Sequence, residues 1–145
     1  MYLSVATRPD IAHSASVLSQ FNEHPNEEHW GAAKRVLRYL KGTSKLGLVY
    51  QQPIGKIVGY TDADWGNDLT NSKSYTGYVF ILEGAAISWK SRKQRTVALL
   101  TTEGEYQALT ESTKESMYLR GLIYELGSHN SQMKKFFAII RVQLN

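Results

Sequence analysis

The sequence predicts an α+β fold, with an N-terminal helical hairpin followed by short, mainly antiparallel strands and one long helix. Three observations carry this prediction. Apolar residues recur at helical spacing up to about residue 42. From Leu46 the pattern changes to short runs rich in Val, Ile, Tyr and Trp, separated by Gly, Pro, Asn and Ser. Helical spacing then returns after residue 100 behind a Thr-Thr-Glu start signal.

Pro9 suits the first turn of the first helix, because its missing N–H is not needed there. Ile11, Ser14, Ala15 and Leu18 form its stripe, and Phe21 closes it before a break at residues 22–25. Asn26 is a good N-cap for the second helix, and Glu27 and Glu28 favour the positive end of its dipole. Trp30, Ala33, Leu37 and Leu40 are expected to be its buried stripe, with Lys41-Gly42 as its end. Strands are expected at 46–51, 56–61, 77–82 and 86–91, with Glu83-Gly84 turning a hairpin between the last two. The long helix opens at Thr101, shows an apolar face of Leu119, Leu122, Ile123 and Leu126, and ends at Gly127. A polar linker at 128–131 then leads to an apolar run at 136–140, read as one more buried strand.

With 145 residues and 42% hydrophobic content, the chain has enough material for one modest core. A formal charge of +4 and a pI near 9.3 suit nucleic acid or an acidic surface. The absence of cysteine excludes disulfides and thiolate metal sites. No apolar run approaches the roughly 18 residues of a membrane span, so no membrane partner is expected. The apolar stretch at 1–6 lacks the length and cleavage site of a secretory signal.

Four groups of residues could carry chemistry. Asp62 and Asp64 are two apart, so on extended backbone both carboxylates leave one face, where oxygen ligands could meet a hard cation. A turn rich in Asp and Asn has the same composition. Glu103 and Glu105 are either dipole-favoured acids of a first helical turn or partners for that strand end. Arg35 and Arg38 are neighbours on the second helix, which suits a solvated face, a phosphate-binding face or a short sorting motif. Lys90, Arg92, Lys93 and Arg95 place four cations in six positions beside Trp89. That suits either a nucleic-acid strand, held by stacking and phosphate contacts, or a charged edge strand.

Several separated motifs, in order, resemble one family. Tyr2-Leu3, 6–10, His29-Trp30 and 32–43 are similar to the tail of a Copia-type reverse transcriptase. Gly59-Tyr60-Thr61-Asp62-Ala63-Asp64-Trp65, Lys73-Ser74, 76–80, 88–91 and 102–109 resemble the ribonuclease H region that follows it. The resemblance implies three regions: 1–44 as the reverse-transcriptase tail, 45–127 as an incomplete ribonuclease H-like region with a truncated mixed sheet, and 128–145 as a divergent tail. It also implies cleavage of the RNA strand of an RNA–DNA hybrid with two Mg²⁺ ions. Asp62 then matches the first catalytic aspartate and Glu105 the first-helix glutamate, with Asp64 as an alternative first ligand. No Asp follows Asp68 and no Glu follows Glu125, so the third and fourth carboxylates have no counterpart. Two adjacent cations need about three or four carboxylates. The expectation is therefore a vestigial Asp62–Glu105 pair, no bound metal or other cofactor, and no hydrolysis.

Arg35-Val36-Leu37-Arg38 also matches the Arg-any-Leu-Arg motif of oomycete plant-pathogen effectors, and the chain as a whole resembles the Copia-like effector of grapevine downy mildew. This resemblance implies secretion, translocation into a host cell, an unknown host protein partner and suppression of defence-related cell death. The alternative is a retroelement-derived fragment that binds RNA–DNA hybrid or retains a weak Mg²⁺-dependent ribonuclease activity.

Overall fold

The computed structural model describes residues 2–50, 57–64, 72–126 and 139–142, the last four by their backbone. Trp65, the 66–68 turn, Lys56 and the 128–138 segment lie outside the described residues. The order of elements is α1 (Tyr2–Ala6), a 3-10 turn (Pro9–Ile11), α2 (Ala12–Ser19), α3 (Glu27–Gly42), β1 (Val58–Asp64), β2 (Tyr75–Leu82), β3 (Ala85–Lys93), α4 (Thr101–Leu126) and β4 (Ile139–Val142). The fold is α+β, as expected.

The strands form one mixed sheet in the order β3-β2-β1-β4. β1 and β2 are antiparallel, as are β2 and β3, while β4 runs parallel to β1 with Val58 opposite Ile139 and Thr61 opposite Val142. The chain must cross over to add a parallel strand, and α4 lies within that crossover. The 136–140 run thus supplies part of a fourth strand beside β1, and its four paired residues carry no carboxylate. Glu83 and Gly84 both have positive φ (54° and 83°), the backbone of a tight primed hairpin turn.

The core lies between one sheet face and α4. Ile57, Phe80 and Leu119 are its buried centre, with Tyr78, Leu82, Ile87 and Ile123 packed around them. Gly59 stands directly opposite Phe80 in the register, and a Cβ built on it would lie 2.5 Å from Phe80 Cε1. The opposite sheet face receives the N-terminal helices. Trp89 Nε1 donates to Ser4 O (2.7 Å), His13 Nδ1 pairs with Ser91 Oγ (3.1 Å), and Lys93 Nζ donates to Gln20 Oε1 (2.8 Å).

α3 begins as expected. The Asn26 side chain accepts from His29 N (2.9 Å), and His29 Nδ1 accepts from Asn26 N (3.2 Å), a reciprocal cap. Its buried stripe is not the expected one. Trp30 is 60% and Leu37 59% exposed, and no residue of α3 is fully buried. Two contacts set the rotation instead: His29 stacks on Phe21 at 3.8 Å, and Arg8 locks the C-terminal end. Arg8 grips Asp10 with both Nε and Nη2 and donates to Thr43 O and Thr43 Oγ1, while Tyr39 OH donates to Asp10 Oδ2 (2.8 Å). These bonds hold the Asp10 carboxyl down at about 2, Arg8 contributing most.

Three other expectations need correction. Residues 46–50 form no strand. The Tyr50 hydroxyl donates to Ala86 O (2.8 Å) on β3. On α4, Leu119 is buried but Leu126 is 73% exposed, so the buried face is shorter than predicted. β2 and β3 each run two residues further at the Tyr75 and Lys93 ends, which brings Arg92 and Lys93 into the strand that already held Lys90.

Candidate functional site

Strand alternation decides where the carboxylates go. Gly59 and Thr61 are buried on the face that α4 covers, so Tyr60, Asp62 and Asp64 leave by the other face. Asp62 is exposed, and its Oδ1 accepts the Ala63 N–H (2.9 Å). Asp64 is opposite Tyr75, the last pair of the β1–β2 ladder, and its Oδ1 accepts the Tyr75 N–H. The side chain thereby satisfies a donor at the sheet end.

Glu103 and Glu105 differ in role. Glu103 Oε2 accepts the Leu99 N–H (2.8 Å), so it caps the start of α4. Glu105 is half-buried one position past the buried Gly104. Helical spacing puts it on the flank away from Gln107 and Glu111, which face β3, and therefore toward β1 and β4. It is thus on the α4 side of the sheet, whereas Asp62 and Asp64 leave by the other side. Among the described residues no three His, Asp or Glu side chains converge closely enough to hold a metal ion. The described residues therefore do not assemble the donor set of a two-Mg²⁺ centre.

The basic segment divides in the same way. Lys90 and Arg92 are on the α4 face, whereas Trp89, Ser91 and Lys93 are on the other, since neighbours along a strand alternate. Trp89 is thus separated from Lys90 and Arg92 and is held under α1 by its bond to Ser4. A groove of about 400 Å³ opens between the end of β3 and α4, lined by Arg92, Arg95, Gln94, Tyr106, Gln107 and Thr110 among others. Gln94 braces its floor, donating from Nε2 to Thr76 Oγ1 (2.9 Å) and Gly104 O (3.0 Å). Lys90 is paired with Glu111 at 3.5 Å. Burial would raise the Glu111 carboxyl, but hydrogen bonding to Lys114 and the charge of Lys90 bring it below its ordinary value. The groove's net positive charge therefore comes chiefly from Arg92 and Arg95.

Tyr106, 72% exposed, is the aromatic residue that this groove presents, and sequence reasoning missed it. The signal was available: Tyr106 and Thr110 are four apart on a helix whose buried face runs through Gly104, Ala108 and Ser112. The motif residues Arg35, Leu37 and Arg38 are exposed on α3, and Val36 is half-buried.

The helical hairpin on one face of the mixed sheet and the long helix on the other make an α+β unit of the class the sequence predicts. The comparisons with known proteins give the family. The chain is 50% identical over 132 residues to the retrovirus-related Pol polyprotein from transposon TNT 1-94 of Nicotiana tabacum, covering 91% of this chain and 10% of that polyprotein. It is 40% identical over 122 residues to the Pol polyprotein from transposon RE1 of Arabidopsis thaliana, 83% of this chain and 8% of that one. It is 52% identical over 120 residues to Secreted RxLR effector protein 161 of Plasmopara viticola, 82% of this chain and 84% of that protein. No family model matches the chain. No solved structure matches it. The chain belongs to the Copia-type retrotransposon Pol family, of whose full polyproteins it spans about a tenth.

Proposed function

We propose that this segment binds RNA–DNA hybrid without cutting it, using the groove between β3 and α4. The observation that carries the reading is the pairing of Arg92 and Arg95 with the exposed Tyr106 on one open surface. Guanidinium groups take phosphate oxygens in bidentate fashion, and an exposed ring offers a stacking platform for a base. Membership of a family whose named relatives are Pol polyproteins supports nucleic acid as the ligand. The lack of turnover is supported by the carboxylates. Asp62 and Asp64 leave the sheet by the face opposite α4, and Asp64 accepts a backbone N–H.

The test is a binding isotherm for labelled hybrid at several salt concentrations. Releasing counterions from two or three phosphates gives a log–log slope of about −2. The double variant Arg92→Gln, Arg95→Gln should bind at least about tenfold more weakly and lose most of that slope. A salt-independent isotherm, or an unaffected double variant, would remove the groove from consideration. Hybrid incubated with Mg²⁺ and excess protein should stay intact. Cleavage that disappears in Asp62→Asn would overturn the reading of no turnover.

A second reading has one specific observation in its favour: the effector-named relative is matched over 84% of its own length. On that reading the chain is secreted and acts on a host protein inside plant cells to suppress defence-related cell death. Leaf expression of wild type and of the Asp62→Asn, Glu105→Gln double variant should then suppress cell death equally. Loss of the effect in the double variant would count against a non-catalytic role.

A further inference from the structure

On the opposite face of the sheet from the basic groove, the strand register builds a second site from first principles. Three rows of side chains face the N-terminal helices there: Tyr60, Val79 and Trp89; then Asp62, Gly77 and Ser91; then Asp64, Tyr75 and Lys93. Gly77 is the middle of the middle row, and a Cβ built on it meets nothing within 4 Å. The missing side chain leaves a hollow with Asp62 on one side and Ser91 on the other. Pro9, Ala12 and His13 form a wall along one side, and the open cleft has a volume of about 620 Å³, within the roughly 300–1,000 Å³ range of small-molecule sites.

The lining has a definite chemistry. Aromatic rings flank the hollow on two sides, Tyr60 and Trp89 on one and Tyr75 on the other. Two of them are held in place: Trp89 through Ser4 O, and Tyr75 by an edge-on contact with His13 at 5.0 Å and by Gln20 at its hydroxyl. The charge is anionic, from Asp62 and Asp64. The cations nearby are directed elsewhere. Arg8 is committed to Asp10, Lys90 borders the cleft but turns its Nζ to Glu111 on the α4 side, and Lys93 at the far corner donates to Gln20. A negative, aromatic-walled hollow in a protein of net charge +4 does not suit a phosphate. Ring faces and carboxylates together attract a weakly hydrated organic cation.

We propose that the cleft between α2 and the sheet binds an organic ammonium cation, with Tyr60, Tyr75 and Trp89 around the alkylated nitrogen and Asp62 supplying the counter-charge. This site is separate from the basic groove and does not depend on hybrid binding there.

The experiment is calorimetric titration of the full chain with choline and with its neutral carbon isostere, dimethylbutanol. Choline should bind in the millimolar range, and the isostere about tenfold or more weakly. Gly77→Val should fill the hollow and abolish choline binding while melting as a folded protein, since the new side chain enters open space. Asp62→Asn should weaken choline roughly fivefold and leave hybrid binding at the groove unchanged. Equal binding of the two ligands, no choline binding by wild type, or full binding by Gly77→Val would each overturn the proposal.

Discussion

Gly59→Ala tests the packing logic of the strand that carries Asp62. Gly59 faces Phe80 across the β1–β2 ladder, and an added Cβ would lie 2.5, 2.9 and 3.1 Å from three carbons of that ring. Comfortable carbon–carbon contact begins near 3.5 Å, so the ring has to retreat by about 1 Å. Phe80 is 0% exposed and sits among Ile57, Leu119 and Tyr78, which leaves it nowhere to go without displacing the core. Overpacking of this kind costs about 2 kcal/mol, partly offset by the better strand propensity of Ala over Gly. In urea unfolding followed by circular dichroism, the midpoint should fall by about 1 M. Phe80→Leu alone should also destabilise, by about 1–2 kcal/mol, through lost burial. Combined, the two should cost clearly less than their sum, since the smaller side chain makes room for the methyl. Additivity to within about 0.3 kcal/mol, or a Gly59→Ala protein as stable as wild type, would refute the contact as the reason for glycine here.

The Asp10 carboxyl is held at about 2 in the folded chain against 3.8 for the free side chain, so its contribution is present above about pH 4 and is lost as pH falls toward 2. Because Asp10 is partly open to solvent, that contribution is about 1 kcal/mol, and Asp10→Asn should reduce the acid sensitivity of unfolding by this amount between about pH 6 and pH 2.5. Asn26→Ala removes the acceptor for His29 N and should cost about 1 kcal/mol by thermal unfolding, whereas Asn26→Asp should cost little. Leu119→Ala should cost about 3 kcal/mol and Leu126→Ala less than about 0.5 kcal/mol in the same assay, since the first is buried and the second is not.

Capping chemistry was legible in the sequence, and burial phase was not. Asn26 marked the start of α3, and Glu103, which accepts the Leu99 N–H, marked the start of α4, because cap residues answer to local backbone donors. The Glu83-Gly84 turn was equally local. The face that α3 buries depends on Phe21, Arg8 and Asp10, which are distant in sequence from Trp30 and Leu37. No helical period contains that information. Residues 46–50 have the composition of a strand but form none, because composition does not specify whether a partner strand lies in register beside them. The candidate site fails to read for a related reason. Lys90, Arg92 and Trp89 look like one cluster in a string of letters, yet a strand sends odd and even positions to opposite faces. For Trp89 and Lys90 the expected strand at 86–91 already implied that split, while for Arg92 it needed the further reach of β3 to Lys93.

The reciprocal cap that starts α3 bears on how its Arg-any-Leu-Arg tetrapeptide can be recognised. Residues 35–38 sit in the middle of a sixteen-residue helix clamped at one end by Asn26 and His29 and at the other by Arg8. A receptor or protease that takes its ligand as a stretched peptide would have to unwind those turns first and forfeit both clamps. A reader of the intact helix meets a different pattern: two guanidiniums and a leucine outside, with Val36 turned inward. Four matching letters therefore present two incompatible shapes, and α3 as folded displays only one of them.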